Sequence, residues 1–227
     1  MTGDPVSSLE RIIGYTFSDR SIPLAALTHP SGIVEDSTGR DYERLEFLGD
    51  AVLELVTREY LMEEFPSDPE GVLTRRKIRY VKKRNLADHG RRLGLHHLAI
   101  VGGGFRPGDG AEISLAADLM ESVIGAVYSD SGLKKARELV MREILEKTEA
   151  AERIADSRSL LQEYCQRRGM DLPDYTLAEV RGPAHRPVFT VVVSIQGEEH
   201  GRGTGPTRKA AREIAAAEAL KSIERTV

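Results

Sequence analysis

Tryptophan is absent from the 227 residues, aromatic side chains make up only 5%, and cysteine occurs once, as Cys165. A lone cysteine cannot close an internal disulfide, and no C-x-x-C or Cys/His grouping is present to hold zinc, which excludes disulfide scaffolds and zinc modules. Long apolar runs are missing as well. Stretches such as Leu115–Ala117 and Val188–Ile195 fall far below the roughly 18 residues that a membrane span needs. The opening MTGDPVSSLERIIGYTF has no basic segment followed by an apolar one, so no signal peptide is read there and a cytoplasmic location is expected. What remains is ordinary globular material, 40% hydrophobic and 30% charged, enough for one large domain or two modest ones.

Excess positive charge is lacking too, since the formal net charge is −4. Its distribution is more informative than its sum. Residues 1–155 carry 26 acids and 21 bases, whereas residues 156–227 carry 10 acids and 11 bases. Inside the acidic part, TRRKIRYVKKRNLADHGRR (residues 74–92) sets nine Lys/Arg against a single Asp. Such a run reads most simply as a solvated helix face.

Punctuation by glycine and proline divides the chain. Residues 8–27 show short helical patterns around Gly14 and Pro23, and Thr28–Gly32 is a loop. A long helical pattern runs from Tyr42 to about Phe65 and stops at Pro66; basic helix or a helix pair covers residues 72–93, with Gly94 as its cap. The glycine-rich VGGGFRPGDG (residues 101–110) fits neither phosphate-loop spacing and reads as connection. Helix is expected again over residues 114–128 and 133–151. From about residue 155 the pattern changes to a short helix over 159–168, strands near 175–180, 188–195 and 199–203, and an alanine-rich helix over 207–223 capped by Thr207. Two domains follow: an all-α one over residues 5–152 and an α+β one, in the order α-β-β-β-α, over 158–226.

The stretch DYERLEFLGDAVL (residues 41–53) poses an electrostatic question. On a wheel of about 100° per residue with Glu43 at 0°, Glu46 and Asp50 fall at about 300° and 340°, so three like charges share a face at a cost of a few tenths of a kcal/mol per pair. Leu45, Leu48, Val52, Leu55 and Val56 form the opposite, buried stripe, and Phe47 sits on the acidic side, either as a scattered surface residue or as a knob for a partner subunit. In the later helix Asp118 and Glu121 repeat the i, i+3 arrangement, facing away from Met120, Val123, Ile124 and Val127. If the two helices pack side by side, Glu46, Asp50, Asp118 and Glu121 make an all-oxygen group suited to Mg²⁺, a hard cation. Without a metal the four would raise one another's pKa values; the other reading is that they pair with Arg44, Arg58 or the basic stripe. Two such ions about 3.5–4 Å apart would stabilise the attacking and leaving oxygens of a phosphoryl displacement.

Glu43-Arg44-Leu45-Glu46-Phe47-Leu48-Gly49-Asp50 resembles the signature helix of the ribonuclease III family. Ala26–His29, Glu70-Gly71 and Asp118–Tyr128 match further motifs of that family along almost the whole chain. The C-terminal segment is similar to a double-stranded RNA-binding domain, with Gln162-Glu163 in its first helix, Gly182–His185 between strands and Arg208–Ala211 opening its last helix. The resemblance implies an endonuclease that cuts both strands of an RNA duplex with water as nucleophile, leaving 5′-phosphate and 3′-hydroxyl ends, in ribosomal and other RNA processing. It implies Mg²⁺, with Mn²⁺ able to substitute, on Glu46, Asp50, Asp118 and Glu121, with Glu43 and Glu70 supporting catalysis in the same valley. It also implies a homodimer into whose second subunit Phe47 inserts. Gln162 and Glu163 would meet 2′-hydroxyls, His185 a second minor groove, and Arg208, Lys209 and Arg212 phosphates, because A-form RNA is read by shape.

The chain departs from the family at Pro30-Ser31-Gly32, at Ala51 and in the loop over 101–113, so loop contacts to substrate are not carried over. Two other functions stay open on sequence. One is a non-catalytic duplex-RNA or ribosome-associated protein on the same fold. The other is a metal phosphohydrolase built on Asp88-His89, which lacks matching His/Asp partners up- and downstream.

Overall fold

A computed structural model describes residues 4–32, 42–102 and 109–224. Asp41 and most of the glycine-rich loop lie outside the described residues. The chain divides into two compact units, Met1–Lys147 and Thr148–Val227.

In the first unit, helix α1 (Pro5–Ile13) starts as its sequence requires: Pro5 needs no amide partner, and Asp4 accepts a hydrogen bond from the Ser7 amide at 3.1 Å. Gly14, at φ 61°, ends it in the left-handed conformation that glycine adopts without strain. Helix α2 (Ser21–Leu27) leads to a loop held by a parallel bridge between Thr28 and Ile100. Helix α3 (Tyr42–Glu64) stops before Pro66 as expected. The basic segment is a pair, α4 (Glu70–Val81) and α5 (Lys83–Arg92), broken at Lys82, whose ψ of 137° is extended. Helix α6 spans Asp109–Val140 with an interruption at Gly132 (φ 75°), and a π-helical turn, Met141–Leu145, joins it to α7 (Glu146–Arg167).

Helix α6 differs from the amphipathic helix read in the sequence. Leu119, Met120, Ser122, Val123, Ile124, Ala126 and Val127 are all buried, so α6 is the central helix of this unit and is surrounded by α2, α3 and α5. Its tightest neighbour is α3. A Cβ on Gly49 would overlap the Glu121 carbonyl oxygen and stand 2.9 Å from the Gly125 nitrogen; a Cβ on Gly125 would stand 2.9 Å from the Leu45 carbonyl carbon. Backbone therefore meets backbone where the two helices cross. This contact also rotates α3 from its expected orientation. Leu45, Gly49, Val52, Leu53, Val56 and Thr57 face the core, Leu48 is only half-buried, and Leu55, expected inside, is 44% exposed.

The second unit builds its own core. Helix α7 contributes Leu161 and Cys165, one turn apart, beneath an antiparallel sheet ordered β1 (Asp174–Arg181), β2 (Val188–Ile195), β3 (Glu198–Gly205). Val191, Val193 and Ile195 alternate inward along β2, as a half-buried strand demands. Helix α8 (Arg208–Glu224) lies on β3 with Ala211, Ala215 and Ala219 against Gly201 and Gly203. Thr207 caps it, its hydroxyl accepting from the Ala210 amide at 3.1 Å. Helix α7 begins well before the expected start at Ser159, because residues 146–158 contain neither Gly nor Pro to stop it.

Gly125→Ala should therefore destabilise the first unit by about 1–3 kcal/mol or more, the usual cost of overpacking. Thermal melting checks this, with Gly71→Ala as the control: a Cβ there meets only the Arg75 guanidinium, at 3.8 Å, and its melting temperature should not fall.

Candidate metal centre and RNA interface

The α3–α6 crossing decides which carboxylates meet. Gly49 stands between Glu46 and Asp50 on α3, and Gly125 lies one turn after Glu121 on α6, so the close approach brings the acids of both helices to the rim of the same contact. Among the described residues, Glu46, Asp118 and Glu121 each offer a carboxylate oxygen within 4.8 Å of the others. Asp50 is more exposed and lies outside that trio, but it lines the same open depression of about 340 Å³ with Glu43, Glu46, Phe47 and Glu121.

Burial and mutual repulsion shape the charges. Burial first, then the charges of Asp50, Glu46 and Asp118, push Glu121 from the ordinary 4.5 up to about 8. Glu46 is raised by burial and then by Asp118, and Asp50 by burial and then by Glu54. The bases that the sequence offered as partners are largely engaged elsewhere: Lys77 donates to Glu54 at 2.6 Å, and Arg58 pairs with the same carboxylate. Asp118 is the exception. Lys83 Nζ lies 2.9 Å from its Oδ1, and the Ser114 hydroxyl donates to its Oδ2 at 3.0 Å.

The donor set fits a hard divalent cation, since every candidate ligand is a carboxylate oxygen. The Tyr42 hydroxyl, one turn before Glu46, supports the fit. It is buried without a hydrogen-bond partner among the described residues, and burial followed by the charges of Asp118, Glu46 and Glu121 pushes its ionisation well above the usual tyrosine range. A protonated donor beside three acids suits hydrated ligands.

Not every expected residue joins this group. Glu43 is exposed on the rim. Glu70, expected in the same valley, sits on the first turn of α4, accepts a hydrogen bond from Thr74 at 2.8 Å and lines a different cavity of about 170 Å³, with Arg58, Leu61, Met62, Leu73 and Lys77. A five-residue loop, residues 65–69, followed by a new helix separates it from the acids of α3, which motif matching could not show. Phe47 is 82% exposed, and Leu55 and Met62 join it on the solvent side of α3 at 44% and 64%.

Sequence reasoning missed Lys83, Ser114 and Tyr42. The last two had a signal, each lying one turn before an acid, at i−4 of Asp118 and Glu46. Lys83 had none, being hidden in a uniform basic run. His89, of the Asp88-His89 pair, is buried, and burial together with Arg92 holds it down at about 4, a packed histidine and not an open ligand.

In the second unit, Gln162 and Glu163 are exposed on α7, beside the buried Leu161. His185 is exposed in the turn between β1 and β2, which the Arg186 amide closes onto the Pro183 carbonyl at 2.8 Å. Arg208, Lys209 and Arg212 are exposed on the first turns of α8, Arg208 lying 5.9 Å from the Phe189 ring and Lys209 3.8 Å from Glu213. Cys165 is fully buried and burial raises its thiol, so it is core.

A family model described as ribonuclease-III-like matches residues 19–148, and one described as double-stranded RNA binding motif matches 157–223. The chain is 40% identical over 223 residues to "Ribonuclease 3" of Pseudomonas fluorescens (strain SBW25), covering 96% of this chain and 95% of that protein. It is 39% identical over 226 residues to "Ribonuclease 3" of Chloroflexus aggregans, covering 97% and 98%. Among solved structures, the nuclease domain of ribonuclease III from Campylobacter jejuni superposes with a TM-score of 0.55 at 32% identity, covering 60% of this chain and 94% of that one. Among the described residues no helix is long and apolar enough to cross a membrane.

The raised acids set a pH dependence. Between 4.5 and about 8 the folded chain keeps a proton on Glu121 that the unfolded chain has lost, so metal-free stability falls as pH rises through that interval. His89, depressed from 6.5 to about 4, works in the opposite sense below pH 6.5. The clean window is therefore pH 6.5–8. In EDTA, the melting temperature should drop across this window, and Glu121→Gln should flatten the drop.

Proposed function

The chain belongs to the ribonuclease III family, the double-stranded-RNA endoribonucleases, and from that premise we propose that it hydrolyses RNA duplexes in a Mg²⁺-dependent reaction at the α3–α6 acid group. The observation that carries the reading is the trio Glu46, Asp118 and Glu121 within 4.8 Å, in a chain that also carries a duplex-RNA-binding unit. Glu46, Asp118 and Glu121 would hold Mg²⁺, or Mn²⁺ in its place, with Asp50 at the rim; the ion would supply Lewis acidity toward a phosphodiester. Water is the nucleophile: its oxygen bonds to phosphorus, the P–O3′ bond breaks, and the leaving oxygen takes up a proton. A 5′-phosphate and a 3′-hydroxyl result. The protein's own share is positional. The acids are anchored on two helices locked by backbone contact, so little reorganisation remains when substrate arrives. Glu43, on the rim, is assigned to substrate or solvent water. Glu70 is assigned to substrate placement away from the trio.

The second unit reads shape. A duplex-binding domain spans roughly 16 base pairs through 2′-hydroxyl and phosphate contacts. Gln162 and Glu163 are assigned to one minor groove, His185 to the next, and Arg208, Lys209 and Arg212 to the intervening phosphates, where the amides at the start of α8 add favourable dipole. Shape recognition suits structured precursors such as ribosomal RNA more than one sequence. The exposed Phe47, Leu55 and Met62 support a homodimer, because an apolar strip on one helix face marks an interaction surface. The lone cysteine is consistent with a reducing cytoplasm.

Labelled duplex RNA tests the reading. Wild-type protein should cleave it with Mg²⁺ and not with EDTA. Glu121→Gln should lose activity beyond the ten- to hundredfold typical of outer-sphere changes, while gel-shift affinity stays at wild-type level and weakens steeply with salt. Metal-independent binding without cleavage by the wild type would overturn the proposal. Phe47→Ala should shift the sedimentation coefficient toward that of the monomer.

A further inference from the structure

Lys83 occupies a place that its sequence context does not explain. The run around it is basic and solvated, yet its Nζ reaches across from α5 to Asp118 on α6, at 2.9 Å. Two local features put it there. The extended Lys82 breaks the basic segment, so that α5 starts afresh at Lys83 in a new direction. Helix α5 then seats on α6 at Gly90, where a Cβ would stand 3.0 Å from the Ala116 carbonyl carbon. Lys83 lies seven residues before Gly90, on the same side of α5, and Asp118 lies two residues after Ala116. The seating of the two helices thus aims the ammonium at the acid group.

We propose that Lys83 is the tethered counter-cation of the metal-free site: its ammonium occupies Asp118 until a divalent ion binds, and it competes with that ion for the acid group. This rests on the metal-binding reading above. Asp118 has both oxygens engaged, Oδ1 by Lys83 and Oδ2 by the Ser114 hydroxyl. Serine is neutral and can remain when a cation arrives, whereas a second positive charge is repelled. The Lys83 side chain is 58% exposed while that of Asp118 is 19% exposed, so the ammonium can swing into water without opening the core. Lysine suits the task better than arginine, as a compact, flexibly tethered point charge. One unit of positive charge against Glu46, Asp118, Glu121 and Asp50 holds the group together but leaves a net negative field to attract the divalent ion. Lys83 is in these terms a positioning residue, acting through Asp118.

Calorimetric titration of the full chain with Mg²⁺ at low ionic strength tests the inference. Lys83→Met should tighten Mg²⁺ binding about two- to fivefold, the range that a partly exposed ion pair supplies. In EDTA the same variant should melt below wild type, and the gap should close at saturating Mg²⁺. Lys83→Arg, which keeps the charge, should stay near wild type in both measurements. In the wild-type protein, the Lys83 Nζ resonance of ¹⁵N-lysine-labelled material should change on Mg²⁺ addition as the ion pair opens. A purely structural contact between α5 and α6 would lower melting equally with and without Mg²⁺ and leave the affinity untouched. That result, or weaker Mg²⁺ binding by Lys83→Met, would overturn the inference alone. Absence of Mg²⁺ binding by the wild type would overturn the metal-binding reading with it.

Discussion

Backbone contact between Gly49 of α3 and Gly125 of α6 is the constraint on which the first unit depends. Helices separated by ordinary side chains sit 8–10 Å apart; here neither helix carries a Cβ at the crossing, and each meets the carbonyl of the other. The same contact that closes the core places Glu46 and Asp50, which flank Gly49, beside Asp118 and Glu121, which precede Gly125. Fold and site are thus not separable layers. A residue large enough to part the helices would part the carboxylates as well.

The closeness has an electrostatic consequence. Burial on the flank of a central helix is the larger cause and neighbouring acids add to it: Glu121 is pushed up to about 8, and Glu46, beside Asp118, and Asp50, beside Glu54, move in the same direction. Local stability is sacrificed for a field that a divalent cation relieves, and strain of this kind collects at functional sites. Elsewhere acids of the same unit are treated differently. Glu143, also buried, is held below the usual range because Arg142 and Arg92 donate to it at 2.8 Å and outweigh its burial, and Asp130 is held down by the Ser18 hydroxyl and amide and by Tyr15. Structural acids in this protein receive donors. The acids at the crossing receive mainly one another.

Much of the architecture was legible in the sequence because it is written in local chemistry. Pro66 and Pro69 bracket the loop after α3, Thr207 caps α8, and Val188–Ile195 alternates as a strand with one buried face. Where the outcome turned on tertiary contact, the reading failed in traceable ways. Leu55 looked like core on a helical wheel, but the wheel is anchored only by packing, and the Gly49 contact turned α3 so that Leu53 and Thr57 went inside in its place. Helix α6 looked amphipathic because Asp118 and Glu121 are charged, although it is the buried central helix and those acids are its partly exposed edge. Glu70 is a separate case: its motif carries no position in space, and within the protomer the residue lines another cavity. Lys83 was invisible in a run of nine similar charges, since nothing in composition distinguishes the one that finds an acid.

The second unit uses small residues for close approach as the first does, toward a different end. Gly201 and Gly203 on β3 admit the alanine face of α8, so the helix lies low on the sheet with Ala211, Ala215 and Ala219 fully buried. Alanine ranks highest in helix propensity and loses no side-chain entropy on burial, so α8 is both well formed and tightly seated. A helix fixed this firmly presents its first turns as a rigid feature, and those turns carry Arg208, Lys209 and Arg212 together with the amides that follow the Thr207 cap. Phosphate recognition by shape requires charges at set spacings more than it requires strong individual bonds, because the duplex backbone is itself regular. Glycine facing alanine in one unit and glycine facing glycine in the other therefore serve a common purpose: each removes side-chain volume from a contact so that charged groups beside it are held in place by backbone.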